Sequence, residues 1–267
     1  MRNNICFIFF LLLAVLPVHS ENSSHFSIYE IACEQQVEPL GIESKSPRFS
    51  WKVTSQKRTY RQSAYRILVA DSEEALAVGK ATVWDSGKLF SANSVLIPFQ
   101  GKELHSATRY YWKVKVWNEA GEESAWSKQG SFVTGMMKER DWGKAQWIAL
   151  EKDDPAKNLY PGIHAPLVRK MIGERKVGGY KLPMFRKELS LNKEVKEAIV
   201  NISGLGHFDF YINGGKVGNH FLDPGWTNYA KTALYLTFDV TTLLQKKNVL
   251  GIMSVSYTHL TLPTKLE

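Results

Sequence analysis

The stretch Tyr110–Trp117, YYWKVKVW, restricts the fold more than any other part of the chain. Tyr110, Trp112, Val114 and Val116 fall on one face of an extended segment, and Tyr111, Lys113, Lys115 and Trp117 fall on the other. That alternation has the period of a half-buried strand and does not suit a helix. NEAG then turns the chain and SFVTG supplies a closing strand. Upstream, RFSWKV places Phe49, Trp51 and Val53 on one face, and YRILVA and SVLIPF read as further strands. DSEEALAVGK reads as a short connecting helix or turn. Short alternating runs separated by turn residues from Ile28 to Gly135 predict an all-β sandwich.

The second half is also β-rich. MMKERDWGKAQWIAL leads to an irregular stretch, EKDDPAKNLYPGIHAPLVRKMIGERKVGGYKL, of a length that in other chains is functional or flexible. PMFRKELSL, EAIVNISGL, HFDFYING, ALYLTFDVTTLL and NVLGIM follow as strands. YINGGKV is a hairpin signal, because Asn213 and Gly214 accept the positive φ of a tight turn. FDVTTLL reads as a strand ending in a short turn that Asp239 or Thr241 can cap. The predicted architecture is a second sandwich of jelly-roll type.

With 12% aromatic residues, including 8 Trp and 11 Tyr, the chain has the material for real cores, which excludes disorder as its main state. The formal charge is +8, but Lys and Arg are scattered and no nucleic-acid-binding spacing accompanies them, so no nucleic-acid partner is expected. Arg2, an apolar run from Ile5 to Leu16 and Ser20 read as a signal peptide, residues 1–20, which predicts an exported protein, periplasmic or extracellular. The run is short for a membrane span, and none is expected in the mature chain. Cys6 would leave with that segment; Cys33, in the strand-like EIACE, is then a lone thiol, read as a small buried hydrophobe.

The first region resembles a fibronectin type III domain. Trp51 on an early strand, Leu104 six residues before Tyr110, and the YYWKVKVW strand carry that likeness. It implies that Tyr110 or Tyr111 bonds back to the backbone across a corner. CEQQVEPLGIESKSPRFSW, RQSAYRILVA, VWDSGKL and YYWKVKVWNEAG, followed by ISGLGHFDFYINGGKVG, LDPGWTNYAKTALYLTFDVT and NVLGIM, are together similar to the N-terminal half of bacterial α-L-rhamnosidases of the kind common in gut Bacteroidetes. The resemblance implies a fibronectin type III-like domain at 27–137 and a rhamnosidase N-terminal, galactose-binding-like sandwich at 138–253. It implies that both stand in front of an (α/α) barrel holding the catalytic carboxylates. An inverting glycosidase needs an acid and a base about 6.5–9.5 Å apart. No run of amphipathic helices offers that scaffold here, so no catalytic residue is assigned; the partners implied are a rhamnose-containing carbohydrate and the missing catalytic domain. A free-standing carbohydrate-binding or adhesive exported protein is the alternative reading.

The sharpest local cluster is LDPGWTNY. Sugars are held by an aromatic face and fixed polar groups, so Asp223, Trp226 and Tyr229, with Asn213 on its hairpin, are the candidate sugar-binding residues. The competing reading is a structural corner in which Pro224-Gly225 turns, Asp223 caps and Trp226 packs inward. Asp153, Asp154 and Asn158 raise calcium but lack regular ligand spacing, and no metal or other cofactor is assigned. Arg169, Lys170, Arg175, Lys176 and Lys181 read as a solvated basic loop, with a polyanion contact as the alternative. Asn201-Ile202-Ser203 matches a glycosylation pattern inside a predicted strand, where it is discounted.

The last residues, 254–267, do not continue the pattern. Val255–Thr264, VSYTHLTLPT, can be written in codons that resemble the transposase-end adapter of sequencing libraries read in frame. The tail is therefore expected to be non-native. A sandwich ending at NVLGIM is expected to lack a closing strand and to leave an edge open.

Overall fold

The computed structural model describes residues 25–149, 182–229, 231–255 and 264–266. The leader, the candidate calcium residues Asp153, Asp154 and Asn158, and the basic stretch 169–181 lie outside the described residues. The rest is almost entirely strand, with one short helix, α1 (Glu73–Ala77), and two 3-10 turns.

In the first sandwich, β1 (Phe26–Cys33), β2 (Arg48–Ser55) and β6 (Ile97–Pro98) form one sheet. The other runs β4 (Trp84–Asp85), β3 (Gln62–Ala70), β7 (Arg109–Asn118) and β8 (Gly130–Val133), with β5 (Leu89–Phe90) also pairing β3. The alternation in β7 is realised as expected: Tyr110, Trp112, Val114 and Val116 are buried in the core. Phe49 lies between the sheets, its ring 4.5 Å from Trp112 and 5.9 Å from Phe132. Of the two candidate corner tyrosines, Tyr110 takes the role, its hydroxyl accepting the His105 N–H at 2.9 Å. Cys33 is 1% exposed, the buried hydrophobe the sequence suggested; burial first, then the Glu34 charge, pushes its thiol from 9.0 up to about 12.

Between β7 and β8, the returning chain runs beside β7 without forming a regular ladder. The Val114 and Val116 N–H groups donate to Ser127 Oγ (3.0 Å) and Ser124 Oγ (3.1 Å). Those hydroxyls in turn donate to the carbonyls of Lys128 and Ala125. Serine side chains thus complete the hydrogen bonding of the β7 edge.

The second sandwich pairs two four-stranded sheets. One runs β10 (Met184–Ser190), β15 (Lys247–Val255), β12 (His207–Ile212) and β13 (Gly215–Lys216). The other runs β14 (Tyr235–Asp239), β11 (Ile199–Gly204), β16 (Thr264–Leu266) and β9 (Gln146–Ile148). Ile202, Phe208, Phe210, Ile212, Phe238, Val240 and Ile252 lie among its core residues. The hairpin after β12 turns on Asn213 (φ 51°) and Gly214 (φ 86°), as its Asn-Gly pair requires. Asp239 caps the turn after β14, accepting the Thr241 N–H at 3.0 Å.

The NVLGIM strand is not at an edge, because β15 is bonded on both sides, to β10 and to β12. Nor does the regular structure stop at residue 253. Ser254 pairs with Phe208 inside the sheet and is 3% exposed. Three tail residues, Thr264–Leu266, occupy the slot between β11 and β9.

Candidate functional site

The loop from Gly218 to Leu234 leaves β13 and returns to β14, and it carries three of the four candidate sugar-binding residues. Pro224 is buried, but the large apolar side chains of the loop point outward. Phe221 is 81% exposed and Trp226 62%, so Trp226 is not the core residue of the structural-corner reading. Leu222 and Leu234 are also exposed, so the loop carries four exposed large apolar side chains. Asp223 Oδ2 lies 2.9 Å from His220 Nδ1, and the Asp223 carbonyl receives the Phe208 N–H at 3.0 Å, which ties the loop to the start of β12. The Lys231 and Thr232 N–H groups both donate to the Asn228 carbonyl, closing the far turn. Tyr229 is partly covered, and burial pushes its phenol above the ordinary value.

Asn213 does not join this group. It follows β12 while Asp223 bonds at the beginning of that strand, so the two lie about 17 Å apart along five residues of extended chain. Its side chain is also committed: Oδ1 accepts the Val249 N–H at 2.9 Å and Nδ2 donates to Asn248 Oδ1 at 3.1 Å. Spacing in the sequence cannot show that a strand separates two residues, and here it placed in one cluster groups that lie at opposite ends of a sheet.

Two clefts among the described residues lack an enclosed pair of carboxylates. One of about 480 Å³ at the end of the second sandwich is lined by Leu191, Lys193, Glu194, Thr241 and Lys246 among others, with a single carboxylate. Another, of about 220 Å³ beside Tyr60, has Glu119 and Glu122 on its wall. Glu122 there accepts from Asn118 Nδ2 at 2.7 Å, and both carboxylates are exposed surface groups, not a pair enclosing a bond to be broken. Asn201 of the glycosylation-like triplet is 2% exposed and accepts from Thr237 Oγ1 at 2.7 Å, so it serves the fold.

A second surface escaped sequence reasoning: the junction of the two sandwiches. Arg109, at the start of β7, donates from Nε to Glu197 at 2.6 Å and from Nη2 to Asp239 at 2.5 Å. The Met136 N–H donates to the Tyr235 hydroxyl at 2.8 Å. Burial, with a hydrogen bond to Glu43, holds that phenol far above its ordinary value. The Trp142 ring meets the Tyr235 ring edge-on at 5.1 Å. The available signal was the polar alternation of YLTFD, whose outward residues need not face water.

Comparison with known proteins places both sandwiches. Residues 28–138 match the family model "Rha78A-like, N-terminal immunoglobulin domain", and residues 193–256 match "Alpha-L-rhamnosidase N-terminal domain". The first match is described as immunoglobulin, the sandwich class that fibronectin type III domains share. An α-L-rhamnosidase of Formosa agariphila is 43% identical over 216 residues, 80% of this chain and 22% of the relative. The solved α-L-rhamnosidase structure from Dictyoglumus thermophilum is 35% identical, with a TM-score of 0.75 over 89% of this chain and 27% of that one. That from Aspergillus terreus is 26% identical, with a TM-score of 0.68 over 90% of this chain and 26% of that one. The chain thus spans about a quarter or less of the length of these relatives.

Proposed function

From a chain that carries the N-terminal domains of the α-L-rhamnosidase family, we propose that these sandwiches are the non-catalytic front of an exported glycosidase that releases terminal α-L-rhamnose from plant glycans or glycosides. The observation that carries this reading is the pair of matches in order along one chain, against relatives of which the aligned part is only 22% in the Formosa enzyme. Export rests on the leader-like residues 1–20. Among the described residues no helix is long and apolar enough to cross a membrane. The described residues contain a single five-residue α-helix, and neither cleft pairs an enclosed acid with a base. Hydrolysis therefore belongs to the remainder of the parent protein.

Within this portion, the loop bearing Asp223, Trp226 and Tyr229 is the sugar-contact surface of choice. An exposed indole can stack on the C–H face of a pyranose, and the Asp223–His220 pair offers polar groups beside it. Asn213 has no part in it. The residues of the tail from about 254 onward remain a proposed non-native addition, despite their place in the sheets.

The test is direct. The purified 267-residue chain is expected to leave an aryl α-L-rhamnoside intact, and to bind rhamnose in calorimetry in a manner lost in Trp226→Ala. Release of the aryl group would overturn the non-catalytic assignment. Equal rhamnose binding, or none, in both proteins would remove the sugar-contact role.

A further inference from the structure

Strand β14 reads Tyr-Leu-Thr-Phe-Asp, and its two faces have different partners. Leu236 and Phe238 pack into the core of the second sandwich. Tyr235, Thr237 and Asp239 stand on the opposite face, where a sandwich strand ordinarily meets water. Each meets a different segment of the first sandwich. The Tyr235 hydroxyl sits against Gly135 and accepts the Met136 N–H. Thr237 Oγ1 lies where a side chain at Gly41 would be, 2.7 Å from the position a Cβ there would take. Asp239 takes the Arg109 guanidinium, whose other arm holds Glu197.

The approach is built on both sides. Gly41 has φ 78°, a conformation that other residues adopt only under strain, and a Cβ at Gly135 would collide with the Tyr235 hydroxyl and approach the Gly41 carbonyl to 3.1 Å. On the other side, Thr241 holds the Asp239 carboxylate, donating from Oγ1 to Oδ1 at 2.7 Å and so leaving Oδ2 for Arg109. Arg109 is itself steadied by Ser131, whose Oγ accepts from Nη1 at 3.3 Å. Its side chain is 15% exposed, while the Glu197 and Asp239 side chains that it bridges are 38% and 37% exposed. Three contacts at alternate residues, spread over about 13 Å of strand, fix an angle as well as a distance.

We propose that the outer face of β14 is a docking surface for the first sandwich, and that this contact fixes the angle between the sandwiches and supports the folded state of the second. Domains joined in one chain ordinarily move relative to each other unless their interface is large and apolar. Here steric fit at two glycines and a charged fork do that work. Tyr235, Arg109 and Asp239 are positioning residues, and the first sandwich is a template for the second, not a module on a tether. This proposal is independent of any sugar contact or hydrolysis, and its test reads neither.

The experiment is amide hydrogen exchange by mass spectrometry on the intact chain and two variants. Tyr235→Phe removes only the hydroxyl; Gly135→Ala sets a methyl group where that hydroxyl sits. Both are expected to raise exchange in β11, β12 and β15 about fivefold or more, while β2 and β3 keep their native rates. Native rates in β11, β12 and β15 in both variants would overturn the proposal. So would a rise in β2 and β3 that leaves the second sandwich unchanged. If Gly135→Ala raises exchange throughout, Tyr235→Phe decides by the same two criteria.

Discussion

The two sandwiches reach stability by different routes. The first gathers Phe49, Trp51, Trp84, Tyr110, Trp112 and Phe132 between its sheets, ring against ring, with aliphatic residues of β3 and β7 filling the gaps. The core cluster of the second has half as many buried apolar residues among those described, eight against sixteen in the main cluster of the first, and two of its core rings, Phe210 and Phe238, touch at 5.7 Å. Its β10 is mostly exposed and its β14 mostly half-buried. Hydrophobic stabilisation scales with the area removed from water, so the first sandwich holds itself together and the second has more to gain from a neighbour. The difference explains why a strand of the second sandwich uses its outer face for docking.

The largest break in this contrast comes from core truncation. Trp112→Ala empties the centre of the first sandwich and is expected to cost about 3–5 kcal/mol. Through β14 the damage should reach the second sandwich, so circular dichroism and exchange would register both. Phe210→Ala has a similar nominal cost but should loosen the second sandwich alone. Equal spread of damage from both variants would show that the dependence is mutual.

Alkaline pH gives an intermediate effect aimed at the first sandwich. Burial and the Glu34 charge push the Cys33 thiol from 9.0 to about 12, and burial pushes Tyr60 from 10.0 to about 12. Both groups are neutral when protonated, and folding favours that form. Their contribution is fully present below about pH 9, where the unfolded chain also keeps its protons, and is lost as pH rises toward about 12. Thermal midpoints measured between pH 8 and 12 should fall, and Cys33→Ala should flatten the first part of that fall. A midpoint independent of pH over this range would contradict the burial of both groups.

Tyr110→Phe is the gentlest probe. It leaves the His105 N–H without its partner in a covered corner, at about 1–3 kcal/mol. Urea denaturation should show a lower midpoint with an unchanged slope; no shift would mean that water replaces the hydroxyl.

Most of the fold was legible because its signals are local. Alternation in YYWKVKVW named the buried face of β7 correctly, and Asn213-Gly214 announced its hairpin through a φ requirement that few residues meet. What the sequence concealed are relations between distant segments. Asp223 and Asn213 are ten residues apart in the chain, yet one strand holds them at opposite ends. Arg109 and Asp239 are 130 residues apart and touch. Polar residues on the outer face of a strand read the same whether water or another domain lies beyond. Trp226 shows the converse limit, since an indole after a Pro-Gly turn fits a core as well as a surface until its exposure is known.

Ser124 and Ser127 have a consequence for how this border of the first sandwich meets its surroundings. An ordinary strand laid beside β7 would offer its own outward carbonyls and amides to any passing extended chain. Here each serine hydroxyl takes an amide hydrogen from β7 and hands its own hydrogen to the next carbonyl, at 2.6 Å for Ala125 and 2.7 Å for Lys128. That border of the sandwich is thus finished by side chains and presents no ladder for a stranger to extend. Two hydroxyl groups stand in at the selvedge of the sheet for the amide-to-carbonyl stitches that a regular strand would make.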